Sequence, residues 1–527
     1  RALAQAPGLD VSGVFIEIPG TRGADGGPVV DDAALKAVHA EAAAYALRRP
    51  PADARFAQIP FLARAKDSAL PAAPPLGRKD EAGDDRADQL SLPSRVRRYE
   101  AFRARAHLLL LSRLNSDQLD EQEDLLTRDP TKLADMLHAA FSSEGPAADE
   151  PSQGEREAAP EDEERAREER ASIRRLETVL QTAPDSAPED ESGDENESSA
   201  VGAPPSRREA APLSKIAVIH IDGNGVGGVM RDLAKTKDSV DKNVFKEQVG
   251  CGRSDPDSLR RFLLNINERL QRAVEMAFAG AWADIARMAE RDAGAAGRPY
   301  TAIPVVPVIV GGDDVTVITS GDYALPFAAA YLERYERVTE SDVLLRHLGR
   351  EEGTGPMTAA AGVAVVRRDF PFHVAYDLAE RLVDEAKKVG KAQQPVRSTL
   401  TYHALFDSSV LDPEKILQAY SSFTTRPFLL RRDGAPASDP PGRYEPWPDT
   451  CERVRQFKGL TSEDPGTGET RFPKTRAARI RKLLSDAAND RTVRIGGEEK
   501  KPRDLAENEW ESARRSLGRD IDAELGG

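Results

Sequence analysis

Three aspartates stand where apolar segments end. Asp222 follows the run KIAVIHI, and Asp313 and Asp314 follow IPVVPVIVGG, 313 − 222 = 91 residues further along the chain. Carboxylate oxygens are ligands that Mg²⁺ and Mn²⁺ prefer in proteins, and two such ions can bridge the phosphates of a nucleoside triphosphate. The aspartates therefore predict catalytic residues of a two-metal phosphoryl-transfer site. The predicted metal site comprises Ile221, Asp222, Asp313 and Asp314.

Glycines surround both acidic turns, and a group of lysines follows later in the chain. The glycines permit tight turns and let main-chain amides approach a triphosphate closely. The segment EAKKVGK places cations at the end of a predicted helix, where the helix dipole favours them and where they could reach phosphates. The predicted nucleotide-binding residues are Gly223, Asn224, Gly225, Gly227, Gly311, Gly312, Lys387, Lys388 and Lys391.

Each of these motifs also has a purely structural explanation. DGNG and GGDD are common turn sequences, and lysines at a helix end are often simply solvated. His220, inside the first apolar run, is interpreted as a packed core residue. The structural explanation weakens for the two turns because both follow apolar strands in the correct order. Another GDD, at Gly83–Asp85, follows no apolar strand and is interpreted as a loop.

The elements that would position these residues alternate as βαββαβ between residues 213 and 407. A polar loop is expected after the first strand, and a further strand at STLTYHALF. The βαββαβ order is that of a ferredoxin-like unit, in which the first and third strands are neighbours, so both acidic turns are expected at one sheet edge. The predicted strands and helices are, in chain order, KIAVIHID, SLRRFLLNINERLQRAVEMAF continuing to about Asp292, IPVVPVIV, VTVITS, ALPFAAAYLERYERV, MTAAAGVAVV and FHVAYDLAERLVDEAKKVG.

Composition divides the rest of the chain. Residues 1–142 predict an α/β domain, with a strand at VSGVFIEIPG and helices at DDAALKAVHAEAAAYALRR and RVRRYEAFRARAHLLLLSRLN. Residues 143–212, rich in Glu, Asp, Ser and Pro, predict a disordered acidic linker. Residues 408–527 predict a mostly helical region, with the basic run RAARIRK interpreted as a solvated helix face. The predicted fold class is therefore α+β, centred on a ferredoxin-like unit.

Charge and cysteine content exclude several classes of protein. A net charge of −15 argues against a surface that grips nucleic acid throughout. The two cysteines are far apart and form no CxxC motif, which excludes a cysteine-rich zinc site within the chain and fits a reducing cytosol. No stretch approaches the ~20 apolar residues that cross a bilayer, and the first residues lack the apolar core of a signal peptide. We expect a cytoplasmic protein that does not bind membranes.

The motifs together resemble a known family. The segments IAVIHIDGNGVGGVM, VPVIVGGDDVTVIT, AAAGVAVVRRDFPFHVAYDLAERLVDEAKK and STLTYHALFDSS resemble the catalytic palm of the large, polymerase-like subunit of type III CRISPR complexes. They are more distantly similar to GGDEF diguanylate cyclases. The resemblance implies two metal ions on Asp222, Asp313 and Asp314, with the lysines holding triphosphate oxygens. It also implies that ATP is converted into a cyclic oligonucleotide second messenger for antiviral signalling.

The sequence also departs from that family. It contains no His-Asp dipeptide, so the nuclease domain of many such subunits is expected to be missing, and two cysteines are too few for the usual zinc-binding insert. We therefore expect a stand-alone relative. The family often pairs an inactive palm with an active one. By this resemblance, the N-terminal domain is a candidate for such an inactive palm. Glu17 is the only acid in its first predicted strand, and no GGDD-like hairpin follows.

Three functions stay open at this point. The first is a nucleotidyltransferase that makes a cyclic di- or oligonucleotide without a template, and the intact acids favour it. The second is a catalytically silent nucleotide-binding scaffold or sensor. The third is a template-directed polymerase or primase, against which the acidic charge balance counts. The expected partners are an NTP substrate, with ATP favoured, a facing second copy of the chain, and an RNA or protein activator.

Overall fold

A computed structural model gives the structure of the chain. It describes residues 15–16, 30–48, 63–68, 70–77, 83–101, 104, 108, 215–295, 297, 304–349, 354–368, 370–405, 426–431, 444–457, 472–488, 492–495 and 498–517. The chain divides into two compact units, of which the first comprises residues 1–359 and 365–369 and the second residues 360–364 and 370–527. No helix within the described ranges is long and apolar enough to span a membrane.

A six-stranded sheet organises the middle of the chain, with the strand order β2-β3-β1-β4-β5-β6. β1 is antiparallel to β3, and β3 is antiparallel to β2. The order along the chain and across the sheet confirms the predicted α+β class and the ferredoxin-like βαββαβ unit. The strands are β1 (Lys215–Gly223), β2 (Val305–Gly311), β3 (Asp314–Ser320), β4 (Ala359–Arg367), β5 (Thr399–Ala404) and β6 (Phe428–Leu429).

The prediction of a polar loop after β1 is wrong. Three short helices lie there, α3 (Val226–Arg231), α4 (Leu233–Ser239) and α5 (Lys242–Val249). The Asp241 carboxylate accepts hydrogen bonds from the amides of residues 243 and 244, and Gly250 ends α5 in the left-handed conformation. Phe245 is fully buried, so a few apolar anchors within a polar composition are enough to hold these helices.

Two long helices contribute a large part of the described core of the first unit, α6 (Ser258–Ala295) and α7 (Ala324–Ser341). Phe278 of α6 makes edge-on ring contacts with Trp282 and with Phe327 of α7, at centroid distances of 5.5 and 5.6 Å. A bidentate ion pair between Arg334 and Asp284 also joins the two helices. Both helices were predicted from the sequence, and aromatic pairs contribute to the packing between them.

The second unit contains α8 (Phe372–Lys391) together with β5, β6 and residues 360–364 of β4. β5 pairs with β6 in antiparallel fashion, so the sheet continues beyond residue 407. The following elements are α9 (Trp447–Phe457), α10 (Lys474–Ala488), β7 (Val493–Ile495), β8 (Glu498–Lys500) and α11 (Pro502–Leu517).

The C-terminal elements are mostly helical, as predicted. Phe472 packs against Phe457 and Trp510, with ring centroids 5.0 and 5.4 Å away. Arg476 and Arg479 of the basic run both form ion pairs with Glu509 of α11. Part of the predicted solvated basic face is therefore neutralised within the unit.

The described N-terminal residues contain α1 (Asp32–Arg48) and α2 (Gly83–Ala87), and residues 92–101 are also helical. The first predicted helix is thus present, and so is the beginning of the second, whose last residues lie outside the described ones. The GDD at Gly83–Asp85 begins α2 and is not a loop, because the Arg95 guanidinium donates to the main-chain oxygens of residues 73, 85 and 88 and holds the helix end. The linker at 143–212 and most of the predicted strand VSGVFIEIPG lie outside the described residues.

Candidate active site

The three predicted catalytic aspartates meet where β1 and β3 lie side by side. Asp222 is directly opposite Asp314 in the antiparallel register. Asp313 borders Gly223, because a Cβ atom added to that glycine would lie 3.2 Å from the Asp313 Cβ. Asp222 and Asp313 are half-buried, whereas Asp314 is exposed. We call Asp222, Gly223, Asp313 and Asp314 the acidic corner.

Glycine at position 223 is required by packing. Its added Cβ would also lie 2.9 Å from the Val226 Cγ2 atom, so a side chain there would displace either the start of α3 or the Asp313 side chain. Gly312 has a φ of 65°, in the left-handed region, and lets the hairpin turn tightly between β2 and β3. Both turns can therefore keep the aspartates at the strand ends.

The side chain of Gln271, on α6, holds the hairpin turn. Its Oε1 atom accepts a hydrogen bond of 3.0 Å from the Gly312 amide, and a Cβ added to Gly311 would lie 3.4 Å from the same oxygen. The Gln271 amide nitrogen donates in turn to Glu275, at 2.6 Å. Sequence reasoning missed Gln271, since a polar residue inside a helical pattern gives no sign of a partner 41 residues away.

Asn224 is tied to the strand entry before β4. Its main-chain amide donates to the Thr358 carbonyl at 2.8 Å, and its Nδ2 donates to the Thr358 hydroxyl at 3.0 Å. The main-chain amide of Asn224 is thereby engaged within the protein. Gly225 caps α3 in the left-handed conformation with a φ of 85°, and Gly227 is exposed on that helix. Sequence reasoning also missed Thr358.

Two buried tyrosines on α7 have pKa values that are raised in part by the negative charge of the acidic corner. Burial raises the pKa of Tyr335, and the nearby charges of Asp313 and Asp222 raise that pKa further. Burial likewise raises the pKa of Tyr331, with added contributions from Tyr335, Asp313 and Asp314. The two rings stack with centroids 6.0 Å apart and planes 10° from parallel. Both phenols are therefore neutral neighbours of the carboxylates.

His220 lies two residues before Asp222 on β1 and is buried. One ring nitrogen, Nδ1, is 3.1 Å from the hydroxyl of Thr316, its partner in the strand register. This position within the sheet agrees with the interpretation of His220 as a packed core residue.

Lys387, Lys388 and Lys391 lie in the last turns of α8, in the second unit. Burial raises the pKa of Glu385, one turn before Lys388, while the charge of that lysine opposes the shift. A contact of these lysines with a nucleotide stays a prediction.

The donor atoms at the acidic corner suit a hard divalent cation. Carboxylate oxygens come from the aspartates, and Ile221 can offer only its main-chain carbonyl oxygen. Within the described ranges, no group of three or more His, Cys, Asp and Glu residues is arranged to hold a metal ion. Mg²⁺ is commonly bound through one or two carboxylates together with substrate phosphates, and the opposed residues Asp222 and Asp314 can provide two carboxylates.

A family model described as "Cas10/Cmr2, second palm domain" matches residues 215–394. The match spans β1 through α8 and contains the whole acidic corner. The segment 215–394 is therefore related to this palm domain, as the sequence motifs predicted. No curated protein matches the chain.

Solved structures of CRISPR proteins also match. The chain shares 14% identity with Csm1 in T. onnurineus, with a TM-score of 0.30, and covers 35% of that chain with 60% of its own. A Csm1–Csm4 cassette in complex with AMPPNP matches at 14% identity and a TM-score of 0.26, with 52% and 30% covered. The same cassette in complex with cA4 gives 13% identity, a TM-score of 0.26 and the same coverage. The chain therefore covers about a third of the length of these solved chains.

Proposed function

We propose, from the relationship of residues 215–394 to the second palm domain of Cas10/Cmr2, that this chain is a metal-dependent nucleotidyltransferase. It joins nucleoside triphosphates, with ATP favoured, into a cyclic di- or oligonucleotide that signals in antiviral defence. The observation that carries the proposal is the register of β1 and β3, which places Asp222 opposite Asp314 at the mouth of the glycine-rich turns.

The acidic corner would hold two divalent ions, Mg²⁺ or Mn²⁺, through Asp222, Asp313, Asp314 and the Ile221 carbonyl. When bound, such ions favour deprotonation of the attacking hydroxyl and neutralise charge that develops on the phosphates. The clustered aspartates repel one another without a cation, so the site favours binding of a metal–triphosphate complex over binding of a free anion.

In the proposed reaction, the 3′-hydroxyl oxygen of one nucleotide forms a bond to the α-phosphorus of another. The bond from that phosphorus to the bridging oxygen breaks, and pyrophosphate leaves. The protein's contribution is mainly to position the reacting groups and to stabilise charge. Gly225 and Gly227 are exposed, with open space beside them for close approach of a triphosphate. Lys387, Lys388 and Lys391 would supply cations for its oxygens.

The decisive experiment is turnover of each NTP by the purified chain. The protein is incubated with ATP, GTP, CTP or UTP and with Mn²⁺ or Mg²⁺, pyrophosphate release is measured, and products are identified by mass spectrometry. We expect release of pyrophosphate together with a cyclic product. Asp313 and Asp314 are proposed to hold the metal ions, so the Asp313→Ala/Asp314→Ala double variant is expected to lose turnover. Its thermal melting profile should stay that of the wild type.

A matched control comes from the other GDD in the chain. The Asp84→Ala/Asp85→Ala variant removes an identical acidic pair outside the palm and should retain turnover. Nucleotide binding without consumption of any NTP, with candidate RNA and protein activators present, would support the scaffold or sensor function instead. Linear products that copy an added template would support a polymerase. Measurement of molecular mass with and without ATP tests for the facing second copy.

A further inference from the structure

The hydroxyl group of Tyr335 is buried without a hydrogen-bond partner among the described residues. Tyr335 is only 1% exposed. A polar group in this position carries a free-energy cost, so protein interiors rarely retain one without a reason. A phenylalanine would fill the same space without that cost. The hydroxyl group therefore calls for an explanation beyond packing.

The environment of Tyr335 on α7 offers that explanation. The helix α7 packs against β1, and the charges of Asp313 and Asp222 both act on the Tyr335 hydroxyl. Stacking on Tyr331 fixes the ring from one side. A neutral phenol is a hydrogen-bond donor, and a carboxylate is its natural acceptor.

The backbone around Tyr335 is fixed to the same corner. The Thr339 hydroxyl donates to the Tyr335 carbonyl at 2.8 Å and accepts a hydrogen bond from the Met357 amide at 3.0 Å. The next residue, Thr358, holds Asn224 through its carbonyl and hydroxyl. The α7 backbone and the glycine-rich turn after β1 are therefore linked through three consecutive contacts. These contacts restrict movement of Tyr335 relative to that turn.

We infer that Tyr335 is a positioning residue whose hydroxyl donates a hydrogen bond to the Asp313 carboxylate when that carboxylate binds a divalent metal. One carboxylate oxygen faces the metal and the other accepts the phenolic hydrogen. Hydrogen bonds of this kind orient metal ligands and raise metal affinity. The inference rests on the proposed metal-dependent function, and it adds the residue that orients the metal ligand.

The test compares wild-type protein with the Tyr335→Phe variant by thermal melting during a Mn²⁺ titration, with AMPPNP as the nucleotide probe. The variant should bind Mn²⁺ about 10- to 100-fold more weakly, as is typical when a partner of a metal ligand is removed. Its melting temperature without metal should equal or exceed that of the wild type, because an unpaired buried hydroxyl is lost. In turnover assays, the Mn²⁺ concentration needed for half-maximal rate should rise by the same factor.

Tyr323→Phe is the matched control. The Tyr323 hydroxyl donates to Asp292 at 2.9 Å on the exposed surface, and its loss should leave the Mn²⁺ titration unchanged. Overlapping titrations for wild type and Tyr335→Phe would overturn the inference while leaving the proposed function intact. A clear loss of metal-free stability in Tyr335→Phe would also overturn it, since the hydroxyl would then have a structural partner. Wild-type protein that shows no Mn²⁺-dependent shift would refute both proposals.

Discussion

Charged groups have opposite surroundings in two regions of the molecule, the acidic corner and a cationic cluster in the second unit. The cationic cluster is formed by Tyr402, His403 and Arg426. At the corner, like charges stand half-buried or exposed at strand ends with glycines beside them. In the cationic cluster, the Arg426 guanidinium lies 4.7 Å over the Tyr402 ring and donates to the Tyr402 carbonyl. Burial and the charge of Arg426 lower the pKa of His403 to about 4.

The contrast teaches that a strongly shifted pKa does not by itself locate a functional site. The cationic cluster has the larger burial and satisfies its charge internally, through a ring face and a carbonyl oxygen. The acidic corner concentrates charge of one sign beside two glycine-rich turns. A ligand can relieve the repulsion in the corner, whereas the cluster already has its partners.

The largest effect should come from removing one charge at the acidic corner. Asp222→Asn keeps the size of the side chain and removes the charge of a proposed metal ligand, so we expect turnover to fall about 10³-fold, equivalent to about 4 kcal/mol. Steady-state pyrophosphate release measures the change. Asp238→Asn, at a 69% exposed side chain on α4, is the control and should leave the rate unchanged. Wild-type rates for Asp222→Asn would mean that the metals lie elsewhere.

The next effect concerns packing in the second unit. A Cβ added to Gly362 would lie 2.2 Å from the Ala379 carbonyl oxygen and 2.7 Å from the Val383 nitrogen, both in the backbone of α8. Because a helix backbone cannot move aside easily, Gly362→Ala should lower the free energy of unfolding by about 3 kcal/mol.

Urea denaturation measures the effect of Gly362→Ala, with Gly294→Ala as the matched control. No atom lies within 4 Å of a Cβ added to Gly294, and alanine is the better helix former, so the control should gain stability of up to about 1 kcal/mol. Equal stability of the two variants would show that α8 and β4 are less tightly packed than the structure indicates.

A pH effect should come from the cationic cluster. His403 has its pKa lowered from 6.5 to about 4, so its full stabilising contribution is present above pH 6.5 and is lost as the pH falls through 4. We expect a loss on the order of 2 kcal/mol across that interval, smaller than the full shift implies because His403 is incompletely desolvated. Unfolding measured from pH 7.5 to 4 should show a shallower slope for His403→Gln than for wild type. Parallel slopes would exclude His403 as the group that titrates.

The smallest effect tests the support of the glycine-rich turn. Thr358→Val removes the acceptor for the Asn224 side chain and retains the main-chain acceptor, so about 1 kcal/mol of stability and a few-fold of turnover should be lost. Thr319→Val is the control, because it removes a buried hydroxyl that bonds Pro304 at the other end of β3. The control should lose similar stability with no loss of turnover. Equal turnover losses would mean that general stability, and not the turn, limits activity.

Most of the palm architecture could be predicted from the sequence. Continuous apolar runs such as the one in β1 specify buried strands, and their order with the amphipathic helices specifies the βαββαβ unit. The acids could be placed at strand ends for the same reason. The helices α3 to α5 could not, because their anchors are single apolar residues spaced through a polar segment, where no clear period is present.

The sequence by itself determined which residues carry charge and where the strands turn. Tertiary structure alone decided that Asp222 is opposite Asp314 and that Gln271 and Thr358 each hold one of the two turns. Thr358 lies 134 residues from Asn224, its partner. Hydrogen bonds across such separations depend on how helices dock on a sheet, and a local sequence pattern carries no record of that docking.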